Sequence, residues 1–380
     1  MIHDQSVIVL GLGPSGLFLV RQLHNITSEI YAVGRSDDVG LYSKYIDPQR
    51  RYQAITKEEL VYALEDVRQK ANDRPVLYIS SDQYLTLLLE SDVDWSEFAE
   101  IAGASFEKLA LINDKQRIVR YCQKHLVHVP ESYSLIDYEN MPTKSFPVIV
   151  KLNEKLLIEK KNPVGKVRIC TNQDEFDLLC KEFAESNADK THFHVQTYIK
   201  GNNGFQYSTG GFYQDGVPLA EIVVNQVKQY PQGISAMVVT SEDHYAQRIR
   251  SISRIFAQNM SYSGFLEMEY KIDADTGAPY LLDVNPRPWG WVSALGAAYS
   301  DFYRVLCGDK PTEQANPVIW KSRLRTVLAI KNKSNAAVHL KRHEFKKALS
   351  LIHILRKHWI LGATTVHIHI CGDRVYSCQV

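Results

Sequence analysis

None of the six cysteines, at positions 122, 170, 180, 307, 371 and 378, forms a Cys-x-x-Cys pair. That leaves no redox dithiol and no zinc ribbon to consider, and the cysteines read as reduced, mostly packed thiols of a cytoplasmic protein. Charge imbalance is lacking too: 44 Lys and Arg stand against 43 Asp and Glu. Nothing in that balance calls for nucleic acid or an anionic membrane as a partner. No apolar run approaches the ~20 residues that span a bilayer. The stretch before Val7 is too short and too polar for a signal peptide, so a cytoplasmic location is expected. Internal repeats and low-complexity segments are missing as well. What remains is a chain of 380 residues, enough for two or three domains with ample core.

The first strong pattern is the buried strand Ser6 to Leu10, the turn Gly11-Leu-Gly13-Pro-Ser-Gly16 and an apolar helix from Leu17 to Leu23. Strand, glycine turn and helix N-terminus together make a dinucleotide-type fingerprint. The second strand, Ile30 to Val33, ends in Gly34-Arg35 where an NAD site expects an acid, which counts against NAD; Arg35 leaves an NADP phosphate open, and a nucleotide-free domain that helps hold an acceptor substrate is the other reading. Thr56 and Glu59 form a capping box, Pro75 to Ile79 reads as a strand, and Ser81-Asp82 caps the next helix. Alternation of strand and helix up to about residue 105 predicts a parallel α/β domain. Asn113-Asp114 caps a further helix with Lys115 in its first turn. Phe146 to Lys151 is a strand ending in a cation. Lys160 to Lys166 is a basic glycine loop that does not meet the P-loop spacing. His194 to Gly201 reads as a strand ending at glycine, strands continue to Tyr230, and a helix spans Glu242 to Met260. Strand-heavy segments with packing helices suggest two α+β subdomains around a cleft.

The most informative segment is Gly264 to Asp273, a turn through Asp275-Thr-Gly-Ala-Pro279, and Tyr280 to Gly290. Both arms alternate as half-buried strands do, and the turn residues are those of a hairpin. A turn centred near Thr276 sets Glu269 across from Asp283 and Glu267 across from Asn285. Side chains two apart share a face, so Glu267, Glu269, Asp283, Asn285 and Arg287 project together. Like charges set opposite each other destabilise a sheet by up to roughly 1 kcal/mol, which a divalent cation between them would offset. Two carboxylates and an amide oxygen are hard ligands, suited to Mg²⁺ or Mn²⁺. A solvated hairpin face bearing ordinary surface acids is the plainer alternative.

Asp283-Val-Asn285-Pro-Arg287, with Glu267-Met-Glu269-Tyr before it, resembles the metal-binding strands of the ATP-grasp superfamily. Asn285-Pro-Arg-Pro-Trp-Gly290 is similar to the carboxylate-amine ligase branch that includes D-aspartate ligase. The resemblance covers roughly residues 1 to 300. It implies an α/β and α+β architecture: a Rossmann-like N-terminal parallel-sheet domain (1–108), ATP-grasp nucleotide-binding and catalytic subdomains (109–300), and a C-terminal α/β extension (301–380). It also implies ATP with Mg²⁺ or Mn²⁺, phosphate-facing lysines at Lys115 and Lys151, and Lys166 in the loop that covers the phosphates. The hinge bordering adenine would be Gln196, Thr197 and Ile199. Asn203 stands where family members carry an acid for the ribose, and Gln196 where many carry glutamate. Glu269 and Asp283 would bridge the metal, Asn285 would complete a second ion, and Glu267 would lie outside them. Arg287, with Lys151, would be catalytic.

The activity so implied is ATP-dependent amide formation through an acyl phosphate, with a small-molecule carboxylate and an amine as partners. A homodimer is compatible with it. Carboxylation, ester or thioester formation, a nucleotide-binding module without turnover, and a dinucleotide oxidoreductase are the alternatives. Trp289 and Trp291 could wall an acceptor pocket or pack in the core. The basic helix Lys341 to His358 reads as a packed helix with a solvated face, or as a membrane-surface helix. His367, His369 and Cys371 share one strand face, as metal ligands or as an ordinary wet face.

Overall fold

The computed structural model describes residues 5–152, 167–231, 233–312, 315–326, 367–371 and 374–378. Lys166 and the helix expected over 341–358 lie outside the described residues, as do the side chains of His367, His369 and Cys371. Three sheets organise the chain. The first is parallel, with β1 (Val7–Leu10), β2 (Ile30–Gly34), β3 (Arg51–Gln53), β4 (Val76–Ile79) and β5 (Glu100–Ile101) in the order β3-β2-β1-β4-β5. Every residue of β1 is buried, as expected where helices cover both faces of a parallel sheet. Helix α1 (Pro14–Leu23) opens with proline, whose missing N–H is not needed there. Helix α2 (Lys57–Lys70) starts from the Thr56–Glu59 capping box, and α3 (Asp82–Leu89) from Ser81.

The glycine turn before α1 is closed by the chain itself. The Leu12 N–H donates to Asp38 Oδ2 at 3.0 Å, and the same oxygen accepts from Arg35 N–H at 3.0 Å. A Cβ on Gly16 would sit 1.9 Å from the Gly11 carbonyl oxygen. The glycines therefore serve close strand–helix packing, and a carboxylate already occupies an amide that a pyrophosphate would want.

The second sheet is antiparallel, β6 (Ser132–Ser134), β7 (Val148–Leu152), β8 (Val167–Cys170) and β9 (Phe193–Thr197), in the order β6-β9-β7-β8. With the helix Gln173–Ser186 it encloses its own core of Leu135, Val148, Val150, Phe176, Leu179, Phe183 and Val195. It is thus a small lobe.

The third sheet has eight strands: β10 (Gln206–Gln214), β11 (Val217–Gln229), β12 (Ser235–Thr240), β13 (Gly264–Ile272), β14 (Pro279–Asn285), β15 (Ile319–Lys321), β16 (His367–Cys371) and β17 (Arg374–Cys378). Their order is β14-β13-β10-β11-β12-β15-β16-β17. The chain after residue 301 thereby extends the far edge of this sheet. One face packs on the helix His244–Asn259 and on Phe106–Asn113 and Lys115–Lys124. The other shares a continuous core with β1 and α1 of the first sheet. Trp289 and Trp291 lie in that core, each 1% exposed with ring centroids 5.0 Å apart. Trp289 lies so close over Gly210 that a Cβ there would meet its ring at 2.1 Å. Both indoles are core packing, not pocket wall.

Candidate functional site

The hairpin of β13 and β14 carries Glu269 opposite Asp283 and Glu267 opposite Asn285. Its turn is held locally: Gly277 N–H donates to the Asp273 carbonyl at 2.8 Å, and the Asp273 carboxylate accepts from Thr276 N–H at 2.9 Å. Beyond Glu269 the register shifts, pairing Tyr270 with Leu281. Leu282 is therefore bulged, and it lines the neighbouring cleft.

Around these acids the chain gathers its cations. Asp114 caps the helix Lys115–Lys124 by accepting from the Gln116 and Arg117 N–H groups. Lys115 Nζ reaches 168 residues along the chain to form an ion pair with Asp283 Oδ1. Asn285 Nδ2 donates to Glu267 Oε2 at 3.0 Å, and Asn285 Oδ1 accepts from Arg287 Nη2 at 3.4 Å. The amide oxygen required of a metal ligand is thus turned toward Arg287.

Arg287 is held by a group that the sequence did not link to it. Its Nε and Nη2 donate to the two oxygens of Asp82, the second at 2.6 Å, from the first turn of α3 in the N-terminal domain. Nη1 donates to the Pro288 carbonyl at 2.9 Å. Burial alone would depress the guanidinium pKa, but Asp82, with Glu267 and Asp283 further off, reverses this and raises it. The carboxylate partner of Arg287 is thus Asp82, from the other domain, and not one of the hairpin acids that share its face.

Lys151 pairs in register with His194 across β7 and β9. His194 is a residue that sequence reasoning passed over. Burial, reinforced by the positive charges of Lys151 and Lys115 and only partly opposed by Asp283, pushes its imidazole pKa down to about 3. It is therefore a neutral ring among the cations. Its signal in the sequence was its alternation with Gln196, which places both on one face of β9.

The small lobe and the large sheet enclose a cleft of about 560 Å³. Pro130, Ile149 and the hinge Gln196–Ile199 form one wall; Gln206, Lys271 and Leu282 belong to the other. Gln196 Nε2 donates to Ser132 Oγ at 3.0 Å, and that hydroxyl donates to the Pro130 carbonyl at 3.2 Å. Because the hydroxyl proton is spent on Pro130, the Gln196 amide must present its nitrogen to Ser132, which turns Oε1 away from Ser132. Thr197 N–H donates to the Glu131 carbonyl at 2.9 Å and Tyr198 N–H to that of Pro147 at 3.1 Å. These two amides are engaged within the chain, which leaves the Ile199 N–H without a hydrogen bond among the described residues. Asn203 opens a short 3-10 turn after the hinge; its side chain lies outside the described residues.

A parallel α/β domain, a small antiparallel lobe and a large antiparallel sheet with a cleft between the last two define the ATP-grasp architecture with a Rossmann-like first domain. No family model matches the sequence, and no curated protein matches it. Solved structures do match the fold. N5-carboxyaminoimidazole synthetase from Staphylococcus aureus superposes with a TM-score of 0.60 at 16% identity, covering 88% of this chain and 87% of that one. The biotin carboxylase domain of 2-oxoglutarate carboxylase from Hydrogenobacter thermophilus, solved with MgADP and bicarbonate, gives 0.61 at 13%, covering 84% and 75%. N5-carboxyaminoimidazole synthase from Aspergillus clavatus, with ADP and aminoimidazole ribonucleotide bound, gives 0.61 at 14%, covering 87% and 88%.

Proposed function

We propose that this chain is an ATP-dependent carboxylate-amine ligase working through an acyl phosphate. One observation carries the reading: the hairpin acids Glu269 and Asp283 face each other in register, Lys115 pairs with Asp283, and Lys151 lies on the lobe whose hinge lines the cleft, so that acids and cations are gathered beside it. Carboxylate oxygen is a poor leaving group, so the carboxylate must first attack the γ-phosphorus and expel ADP. The amine nitrogen then attacks the acyl carbon, a C–N bond forms, and the C–O bond breaks with phosphate taking the electron pair. The first step brings two anions together and the second, in which the neutral amine attacks and loses a proton, builds negative charge on the acyl oxygen and the departing phosphate, so both depend on preorganised positive charge.

Lys115 and Lys151 would screen the triphosphate, and Arg287 the acyl phosphate and its developing oxyanion. Glu269, Asp283 and Asn285 are the residues that would hold Mg²⁺ or Mn²⁺, which neutralises phosphate charge when bound. Among the described residues no three His, Cys, Asp or Glu side chains converge as a metal site. The ion would draw its other ligands from phosphate and water, as Mg²⁺ commonly does. A related reading is carboxylation with bicarbonate as the carboxylate; the presence of carboxylating enzymes among the structural neighbours supports it.

Phosphate release should be screened with carboxylates, bicarbonate included, crossed against amines including D- and L-amino acids. The expected result is ADP and phosphate formation that needs one member of each pool. Arg287→Lys should then keep nucleotide binding and lose turnover by roughly 10²-fold, because lysine cannot make the planar two-point contact. Wild-type turnover in a folded Arg287→Lys protein would remove Arg287 from the chemistry.

A further inference from the structure

The cleft holds a cation that the chemistry above does not use. Lys271 lies on β13 two residues beyond Glu269, on the same face, and is 8% exposed. Among the described residues its ammonium makes one hydrogen bond, 2.7 Å to the Asn202 carbonyl, and no carboxylate forms an ion pair with it. Lysines are almost never buried without a paired group, because desolvating an ammonium costs several kcal/mol. A buried ammonium lining a cleft, with two of its three donors unspent among the described residues, is arranged for a ligand that brings acceptors.

We propose that Lys271 binds the ribose of the nucleotide, donating to its 2′ and 3′ oxygens. This rests on the nucleotide reading of the cleft. Three placements point to the sugar. Gln196 and the Ile199 N–H occupy the hinge, where the base edge would lie, and the chain runs from there directly into the Gly201–Gly204 turn. Lys271 is tied to that turn through Asn202, one step past the hinge. The phosphate end lies the other way along β13: two residues of strand, roughly 6.5 Å, separate Lys271 from Glu269. Gln206, directly across from Lys271 on β10, lines the same wall and adds an amide. The wall between base and phosphate is thus polar, donor-rich and cationic. Sugar hydroxyl oxygens meet it as neutral acceptors.

The experiment is calorimetric binding of Mg·ADP, Mg·2′-deoxy-ADP and Mg·3′-deoxy-ADP to the full chain, its Lys271→Met variant and its Lys271→Arg variant. Wild type should bind ADP roughly tenfold or more tighter than at least one deoxynucleotide, the scale of one charge-assisted hydrogen bond. Lys271→Met should lose that factor for ADP, bind all three alike and leave the deoxynucleotide concerned nearly unaffected. Lys271→Arg should keep part of the preference. Three results overturn the proposal: a wild type indifferent to both hydroxyls, a Lys271→Met protein that still discriminates, or one that weakens all three nucleotides equally. The first is decisive even if Lys271→Met fails to fold. A wild type that binds no ADP at all removes the nucleotide reading itself, and this proposal with it.

Discussion

His194 shows how one side chain takes its state from the lobe around it. In the folded chain its imidazole stays neutral down to about pH 3, because burial and two nearby lysines oppose a third positive charge. In the unfolded chain the same ring takes up a proton below its ordinary value of 6.5. Between those two values the unfolded state binds the extra proton, so acidification favours unfolding and stability climbs as pH rises. Above 6.5 both states are neutral and the contribution is constant. The urea midpoint of the wild type should therefore fall from pH 7.5 to pH 5.0 by more than that of His194→Gln. Equal falls in the two proteins would contradict the half-buried, neutral ring.

The hairpin of β13 and β14 works as an element because its two arms place carboxylates opposite each other. Asp283 has Lys115 as its counter-ion, whereas Glu267 rests on the Asn285 amide. The bulge at Leu282 lets one arm serve two purposes, turning an apolar side chain to the cleft while Asp283 stays in register with Glu269. ATP approaching without metal would meet the two facing carboxylates of Glu269 and Asp283, with only the Lys115 charge on Asp283 to offset them. Calorimetry should show ATP binding that depends on Mg²⁺ or Mn²⁺, and a Glu269→Gln, Asp283→Asn double variant should flatten that dependence by weakening binding in metal. Equal wild-type affinity in chelator and in Mg²⁺ would remove the metal assignment.

Across the whole molecule, the Arg287–Asp82 pair ties the parallel domain to the large sheet over a separation of 205 residues. Arg287 is 13% and Asp82 21% exposed at the side chain, so neither charge is well solvated. Removing one partner of such a pair leaves an uncompensated charge and costs about 3 kcal/mol. Asp82→Asn and Arg287→Met should each lower the unfolding free energy on that scale, and the double variant should lose less than the sum. Additive losses in urea denaturation would mean that the two side chains are not coupled. Asp82, the Pro288 carbonyl and Asn285 Oδ1 together occupy most of the guanidinium's hydrogen-bonding capacity. An anion reaching Arg287 must therefore compete with Asp82.

The features legible in the sequence are those set by neighbouring residues. The Thr56–Glu59 box, the Asp114 cap and the strand–turn–helix at Gly11 to Gly16 follow from turn and capping chemistry acting over a few positions. The Glu269–Asp283 register does too, because Asp273 to Ala278 closes the loop with its own hydrogen bonds. Only tertiary structure decided the rest. Lys115 on Asp283, Asp82 on Arg287, the neutral His194 and the buried Lys271 all depend on how the lobes and sheets close on one another. The spacing of the glycines suggested an anion site, but a carboxylate, Asp38, brought in from the next strand's exit, takes the Leu12 amide of that turn. Trp289 and Trp291 could equally have walled a pocket; the apposition of β10 at Gly210 places them in the core. Local pattern specifies which face of an element is apolar or charged. The partner for that face is specified by packing between distant segments, where burial, not spacing, sets each group's charge and contacts.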